Sequence, residues 1–122
     1  MVLNHSYGQS PFYKLYADAD GTPSANNPWY NKTSNISNPS LSWGYDFNHE
    51  SEYTKKFTDD VLAYWVSEYK IDGFRFDLSK GFTQKYTGDN VGLWGQYDQS
   101  RIDLIKRMGN EIKDIDPSVI LI

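Results

Sequence analysis

The stretch Ile71-Asp-Gly-Phe-Arg-Phe-Asp-Leu-Ser-Lys80 constrains this chain more than any other. In an extended strand, successive side chains point to opposite faces. Phe74 and Phe76 then share one face and Arg75 and Asp77 the other, the two charges roughly 6.6 Å apart along the strand. Placing a cation and a carboxylate on a strand backed by buried aromatics costs free energy unless the charged face meets water or a ligand. A neighbouring guanidinium favours the ionised carboxylate, the form that a carboxylate nucleophile or charge stabiliser needs at neutral pH. A surface ion pair on an edge strand is the plainer reading of two charges alone, and the flanking sequence tips the balance toward a site.

That flanking sequence alternates short apolar runs with helical patterns. Val2-Leu3 reads as the tail of a buried strand. Asn4 to Asn48 shows little periodicity and is rich in Ser, Asn, Pro, Gly and Tyr. So long an irregular segment is unusual inside a compact domain and signals a functional insertion. A helix is predicted over roughly Glu50–Tyr69, capped by Asn48 or Ser51, with Tyr53, Phe57, Val61, Tyr64/Trp65 and Glu68/Tyr69 as its buried stripe. The strand Ile71–Asp77 follows, then a Gly-rich loop over Ser79–Gln99. A second helix is predicted from about Asp98 to Asp114, with Ile102, Ile105, Met108, Ile112 and Ile115 facing the core. Asp116-Pro117 stops it, and Val119–Ile122 reads as another buried strand. The order argues for an α/β fold of parallel strands joined by right-handed crossovers. It divides the chain into residues 1–48, a strand end plus inserted loop, and residues 49–122, the regular units. Functional groups in such sheets lie at the carboxyl ends of the strands. Asn4-His5 and Asp77–Lys80 both occupy such ends, so the two clusters are expected to converge.

Composition narrows the function classes. The 122 residues suffice for one modest domain with a core. A net charge of −4 argues against nucleic-acid or anionic-membrane partners. Ten tyrosines and four tryptophans suit stacking on sugar rings, and equally suit an irregular loop packed on a sheet. Without cysteine there is neither a disulfide framework nor a thiolate metal site. No segment approaches the roughly 20 apolar residues of a membrane span. The first residues lack the basic start of a secretory signal. Compartment stays open, and a bacterial parent protein is compatible with secretion or the periplasm. Asn-Xaa-Ser/Thr triplets at Asn4, Asn31 and Asn35 matter only in a eukaryotic secretory setting. Both ends fall in apolar runs, so a piece of a longer protein is expected.

The residues resemble the α-amylase family of glycoside hydrolases. Gly73-Phe-Arg-Phe-Asp-Leu-Ser-Lys80 is similar to the family's fourth-strand motif, Gly-x-Arg-x-Asp-x-x-Lys. Val2-Leu-Asn-His5 is similar to the end of its third-strand motif, and Trp43-Gly-Tyr-Asp-Phe-Asn48 to the motif closing its inserted loop domain. The resemblance implies a partial TIM (β/α)8 barrel with a long irregular insertion near the N-terminus. Such a barrel needs about 250 residues when complete. It implies Asp77 as the nucleophile forming a covalent glycosyl-enzyme intermediate, with Arg75 holding it ionised and aligned. His5 would hydrogen-bond the sugar at the cleavage subsite, and Lys80 would contact it on the leaving-group side. Asn4 and Asp46 resemble family calcium ligands, oxygen donors suited to a hard cation. The position after Lys80, where the family often places a histidine whose carbonyl joins the calcium shell, is Gly81. Asp46 capping a turn is the alternative to Asp46 binding calcium. Trp94 and Tyr97, in the loop after the fourth strand, are candidate sugar contacts.

Retaining glycosidases pair their nucleophile with a general acid about 5–5.5 Å away. In the family that glutamate follows the fifth strand, here Val119–Ile122, where the sequence stops. The expectation is therefore part of an enzyme cleaving α-1,4-glucosidic bonds in starch-like glucans, inactive by itself. With open sheet edges it is expected to associate with further copies. Two other readings remain: a non-catalytic glucan-binding or partner-binding remnant of the scaffold, and a related branching or transglycosylating enzyme.

Overall fold

The computed structural model describes residues 1–38 and 40–122. Its centre is the segment 72–77, hydrogen-bonded to a neighbouring segment on each side. Strand β3 (Gly73–Phe74) pairs in parallel with β4 (Ile120–Leu121), in the register Gly73↔Ile120 and Phe74↔Leu121. The pairing continues past the regular strand, with Ile122 N donating to Phe74 O and Phe76 N to Ile122 O, each at 2.9 Å. On the other side Val2 bridges Asp77 in parallel, and Asp77 N donates to Met1 O at 2.9 Å. Three chain segments thus run the same way, and 4–5 and 78–80 emerge from one end. Helices and strands are both present, in two small two-stranded sheets of which only β3–β4 is parallel.

Helix α2 (Glu52–Tyr69) starts at Ser51, preceded by Asn48, whose side chain accepts from the amides of Glu50 and Ser51. It ends at Lys70, in the left-handed conformation that commonly terminates helices. Helix α4 (Gln99–Ile115) starts where Asp98 accepts from Arg101 N. The two helices pack together and against the Phe74 face of β3. Leu62, Val66, Phe74, Phe82, Met108, Ile112 and Val119 form the core, joined by Leu3. Phe74 and Phe76 stack with centroids 6.0 Å apart, so the alternation read from the sequence holds across 74–77. Arg107 of α4 binds Asp59 of α2 at 2.7 Å. Among the described residues, no helix is long and apolar enough to cross a membrane.

The buried stripe of α2 departs from the expected one. Thr54, Thr58, Leu62 and Val66 face the core, while Tyr53, Tyr64, Trp65 and Tyr69 lie exposed. The true stripe lies one residue later, a rotation of about 100° on a 3.6-residue helix. Two threonines go under because each hydroxyl has a backbone partner: Thr54 Oγ1 donates to Trp29 O and Thr58 Oγ1 to Lys55 O. Polarity alone hid them, since hydroxyls are buried freely once hydrogen-bonded. In α4, Leu104, Met108 and Ile112 are buried whereas Ile115 is exposed, because the stripe ends one turn before the helix does.

The described residues of the segment 4–48 contain regular structure. Strand β1 (His5–Ser6) pairs antiparallel with β2 (Tyr45–Asp46), setting His5 opposite Asp46. A short helix α1 (Pro11–Leu15) lies between them in sequence. Gly44 has φ +65°, and a Cβ there would stand 2.2 Å from Ser6 O, so only glycine lets the chain enter β2 so close to β1. Aromatic pairs supply much of the packing. Tyr13 stacks on Tyr45 at 4.1 Å, Phe12 on Trp29 at 4.9 Å and Tyr30 on Phe47 at 4.4 Å. Asn27 ties the loop together, donating to Phe12 O and accepting from the amides of Trp29 and Tyr30. The Gly-rich loop 79–99 likewise contains structure, a 3-10 turn at Ser79–Phe82 and helix α3 (Val91–Trp94).

Candidate active site

Asp77 and Arg75 emerge on the face of the central segment opposite Phe74 and Phe76. Arg75 Nη2 stands 3.8 Å from Asp77 Oδ1, with side chains 75% and 51% exposed. A pair so solvated adds little to stability. Its placement is therefore not explained by folding, and both groups are open to a ligand. Arg75 lines a depression of about 310 Å³ with Phe74, Ile120 and Ile122, and Asp77 lies outside that depression.

Immediately after Asp77 the backbone turns. Leu78 has φ 54°, a left-handed conformation that costs a branched residue of order 1 kcal/mol or more. That turn begins the 3-10 segment and sends Lys80 over the Trp94 ring, its Nζ 5.2 Å from the centroid. Trp94 itself is 2% exposed, and its Nε1 donates to Asn35 Oδ1 at 3.1 Å. Trp94 is accordingly a buried support beneath Lys80 rather than a sugar-contacting surface, which corrects the expectation from its loop position. Tyr97 is exposed, and its hydroxyl donates to Gln99 Oε1.

His5 begins β1. Its Nδ1 donates to Asn4 Oδ1 at 2.8 Å, and its ring meets Tyr7 and Trp43 edge-on at 5.5 and 6.1 Å. Partial burial lowers its pKa, which favours the neutral ring. Asn4 is buried directly against Gly81, where a Cβ would come within 2.9 Å of Asn4 Nδ2. Glycine at 81 is thus what lets the loop after β3 close onto the end of the Val2-Leu3 segment.

Asn4, Asp46 and Gly81 are drawn into one cluster, with a fourth member at its centre. Asp46 is buried and accepts from Asn31 Nδ2 at 2.7 Å, from Asn35 N at 3.1 Å and from Asn35 Nδ2 at 3.0 Å. Burial pushes the Asp46 carboxyl up to about 7, while the Asn31 and Asn35 amides work to hold it down. Asn35 Nδ2 also donates to Gly81 O at 3.0 Å. The oxygens that calcium would need are thus already engaged with N–H donors, and Asn4 Oδ1 is turned to His5. No group of three or more His, Cys, Asp or Glu able to hold a metal occurs among the described residues. In the sequence, Asn31 and Asn35 stand out only as glycosylation triplets. The signal that points to them is the need of a buried carboxylate for nearby donors.

No family model matches the chain. Individual proteins do. Over 35 residues it is 49% identical to a pullulanase of Bacillus subtilis, covering 29% of this chain and 5% of that protein. Over 53 residues it is 40% identical to isoamylase SU1 of Zea mays, covering 43% and 7%. Over another 53-residue match it is 34% identical to a 1,4-alpha-glucan-branching enzyme of Solanum tuberosum, covering 43% and 6%. The structure of type I pullulanase from Bacillus subtilis in complex with maltose superposes with a TM-score of 0.59 at 27% identity, over 99% of this chain and 14% of that one. A pullulanase from Anoxybacillus in complex with maltotriose gives 0.59 at 29% identity, over 99% and 14%. The matched proteins carry the names of starch-debranching and glucan-branching enzymes. These similarities point to the α-amylase family of glycoside hydrolases. It spans only 5–7% of the length of these curated relatives.

Proposed function

We propose that the chain is the nucleophile-bearing portion of a retaining, α-amylase-type glycoside hydrolase acting on starch-like α-glucans, built on part of a (β/α)8 barrel. The observation that carries this reading is the solvent-facing Arg75–Asp77 pair at the carboxyl end of the central parallel segment. Asp77 attacks the anomeric carbon as the glycosidic oxygen leaves, forming a glycosyl ester that water then hydrolyses. Arg75 orients the carboxylate, while His5 and Lys80 bind sugar hydroxyls on either side of the scissile bond. Tyr97, which is exposed, is a candidate contact for a longer glucan. Cleavage of α-1,4 bonds is the sequence-based expectation. The similarity to proteins named pullulanase and isoamylase makes the linkage the first specificity to measure.

Retaining chemistry needs a protonated carboxyl about 5–5.5 Å from the nucleophile and a water-excluded pocket. The ion-pair partner of Asp77 is Arg75, and its side chain is half exposed. The 122-residue polypeptide is therefore inactive alone and retains weak glucan binding. A maltotriose titration followed by NMR tests this. Shifts centred on His5, Arg75, Asp77 and Lys80 support the reading, and shifts confined to other surfaces refute it. Starch hydrolysis by the purified chain that disappears in Asp77→Asn would overturn the inactivity. A branching or transglycosylating enzyme is the second reading, favoured by the similarity to the Solanum tuberosum branching enzyme.

A further inference from the structure

We propose that the Asn35 side-chain amide takes the place of a bridging cation, fastening the inserted loop to the segment after β3 without metal. This goes beyond the catalytic reading and rests on hydrogen-bond geometry alone.

Four oxygens surround Asn35 Nδ2: Asp46 Oδ1, Asp46 Oδ2 and Gly81 O at 3.0 Å each, and Thr83 O at 2.9 Å. A shell made of one carboxylate and two main-chain carbonyls is what a hard cation takes. Here the distances are those of N–H donation, well beyond the roughly 2.3–2.6 Å of calcium–oxygen bonds. The orientation of the amide is settled by its other end. Trp94 Nε1 can only donate, and it donates to Asn35 Oδ1 at 3.1 Å. Reversing the amide would set an oxygen against a carboxylate and two carbonyls, and a nitrogen against an N–H. The Asn35 backbone is engaged as well. Its N–H donates to Asp46 Oδ2 at 3.1 Å, and its carbonyl accepts from Thr87 N at 2.9 Å and Thr87 Oγ1 at 3.1 Å. At 4% exposure every polar group of Asn35 is thereby satisfied within the protein. The nearby candidate donor Asn4 Oδ1 is committed to His5.

The consequence reaches the site. Gly81 and Thr83 bound the turn that follows Asp77, and Trp94 lies under Lys80. Asn35 contacts all three, so it is a positioning residue for the 78–83 segment.

Thermal unfolding of the 122-residue chain in excess chelator and in excess calcium chloride tests this, alongside calorimetric calcium titration. The expected result is the same Tm in both and no binding heat. A bound ion would raise Tm by several degrees at saturation, and such a rise, or a binding isotherm, overturns the proposal. Asn35→Asp replaces the donor by an oxygen of the same size. In chelator this variant should lose on the order of 10 °C in Tm, and calcium should restore most of it. Equal stability of Asn35→Asp and the parent in chelator also overturns the proposal. Where Asn35→Asp does not fold, the calcium titration of the unsubstituted chain decides alone. Hydrogen exchange in Asn35→Ala provides the positioning readout. Protection should fall at Thr87 and the 81–83 turn while Leu62 and Met108 keep theirs, and unchanged protection at Thr87 contradicts the assignment.

Discussion

Around Phe74 the protein is held by aliphatic contact: Leu62 and Val66 from one helix, Met108 and Ile112 from another, and Val119 from the neighbouring strand. Around Asp46 it is held by donors and acceptors drawn from residues 31, 35, 81, 83, 87 and 94, with aromatic stacking around them. The first region is non-directional and tolerates rearrangement, so removing a methyl group costs area and leaves a cavity. The second is directional, and each partner removed leaves another buried group without one. The helical layer therefore supplies stability, whereas the polar hub supplies the geometry of the loops that carry His5 and Lys80.

The sharpest break in this comparison comes from the core. Leu62→Ala should destabilise by about 2–5 kcal/mol, read by urea unfolding, since Leu62 is 1% exposed between the helices and β3. A cost under about 1 kcal/mol would place the stabilising contacts elsewhere.

Acid should act next, through His49, whose Nε2 donates to Leu3 O at 2.7 Å. Burial lowers its pKa from 6.5 to about 4, partly opposed by the Leu3 carbonyl. The unfolded chain takes up the proton before the folded one does, so the His49 contribution is complete above pH 6.5 and declines between 6.5 and 4. The loss reaches about 3 kcal/mol below that window. Asp46 runs the other way, since its raised pKa lets the folded state bind a proton first as pH falls through about 7. The difference between the parent and His49→Gln isolates the histidine. A pH-independent difference between the two would refute its buried, neutral state.

Smaller again is Gly81→Ala, whose new Cβ would meet Asn4 Nδ2 at 2.9 Å and Asn4 Cβ at 3.0 Å. A cost of about 1–3 kcal/mol is expected, with the exchange of the His5 and Lys80 loops accelerated more than that of the helices. Arg75→Ala marks the lower end. Exposed as it is, it should change stability by less than about 1 kcal/mol while weakening maltotriose binding severalfold. A large stability loss from Arg75→Ala would make the pair structural.

The same contrast explains what could be read from the residues alone. The alternation of Phe74, Arg75, Phe76 and Asp77 specifies two faces of a strand, and both faces are as the pattern requires. Helix starts were legible near Asn48 and Asp98, because each side chain accepts from backbone N–H groups close by in sequence, while Ser51 itself makes no side-chain cap. The face of α2 was not legible, because Thr54 and Thr58 are buried through backbone partners that no period reports. Trp94 looked like a surface aromatic for the same reason. Its buried indole N–H is satisfied by Asn35, far away in sequence, whose own partners are at 46, 81 and 83. Local alternation encodes the two faces of the central strand, whereas the polar hub exists only once the chain has closed.

The most direct measurement grafts these 122 residues onto the matching stretch of the Bacillus subtilis pullulanase, whose structure they cover over 99% of their length. The folded chimera should turn over the host's own substrate. Asp77→Asn in the graft should lower kcat by at least about a thousandfold with KM little changed, as loss of a nucleophile does. A folded Asp77→Asn chimera that works as well as its parent would contradict the assignment of Asp77 as the attacking carboxylate.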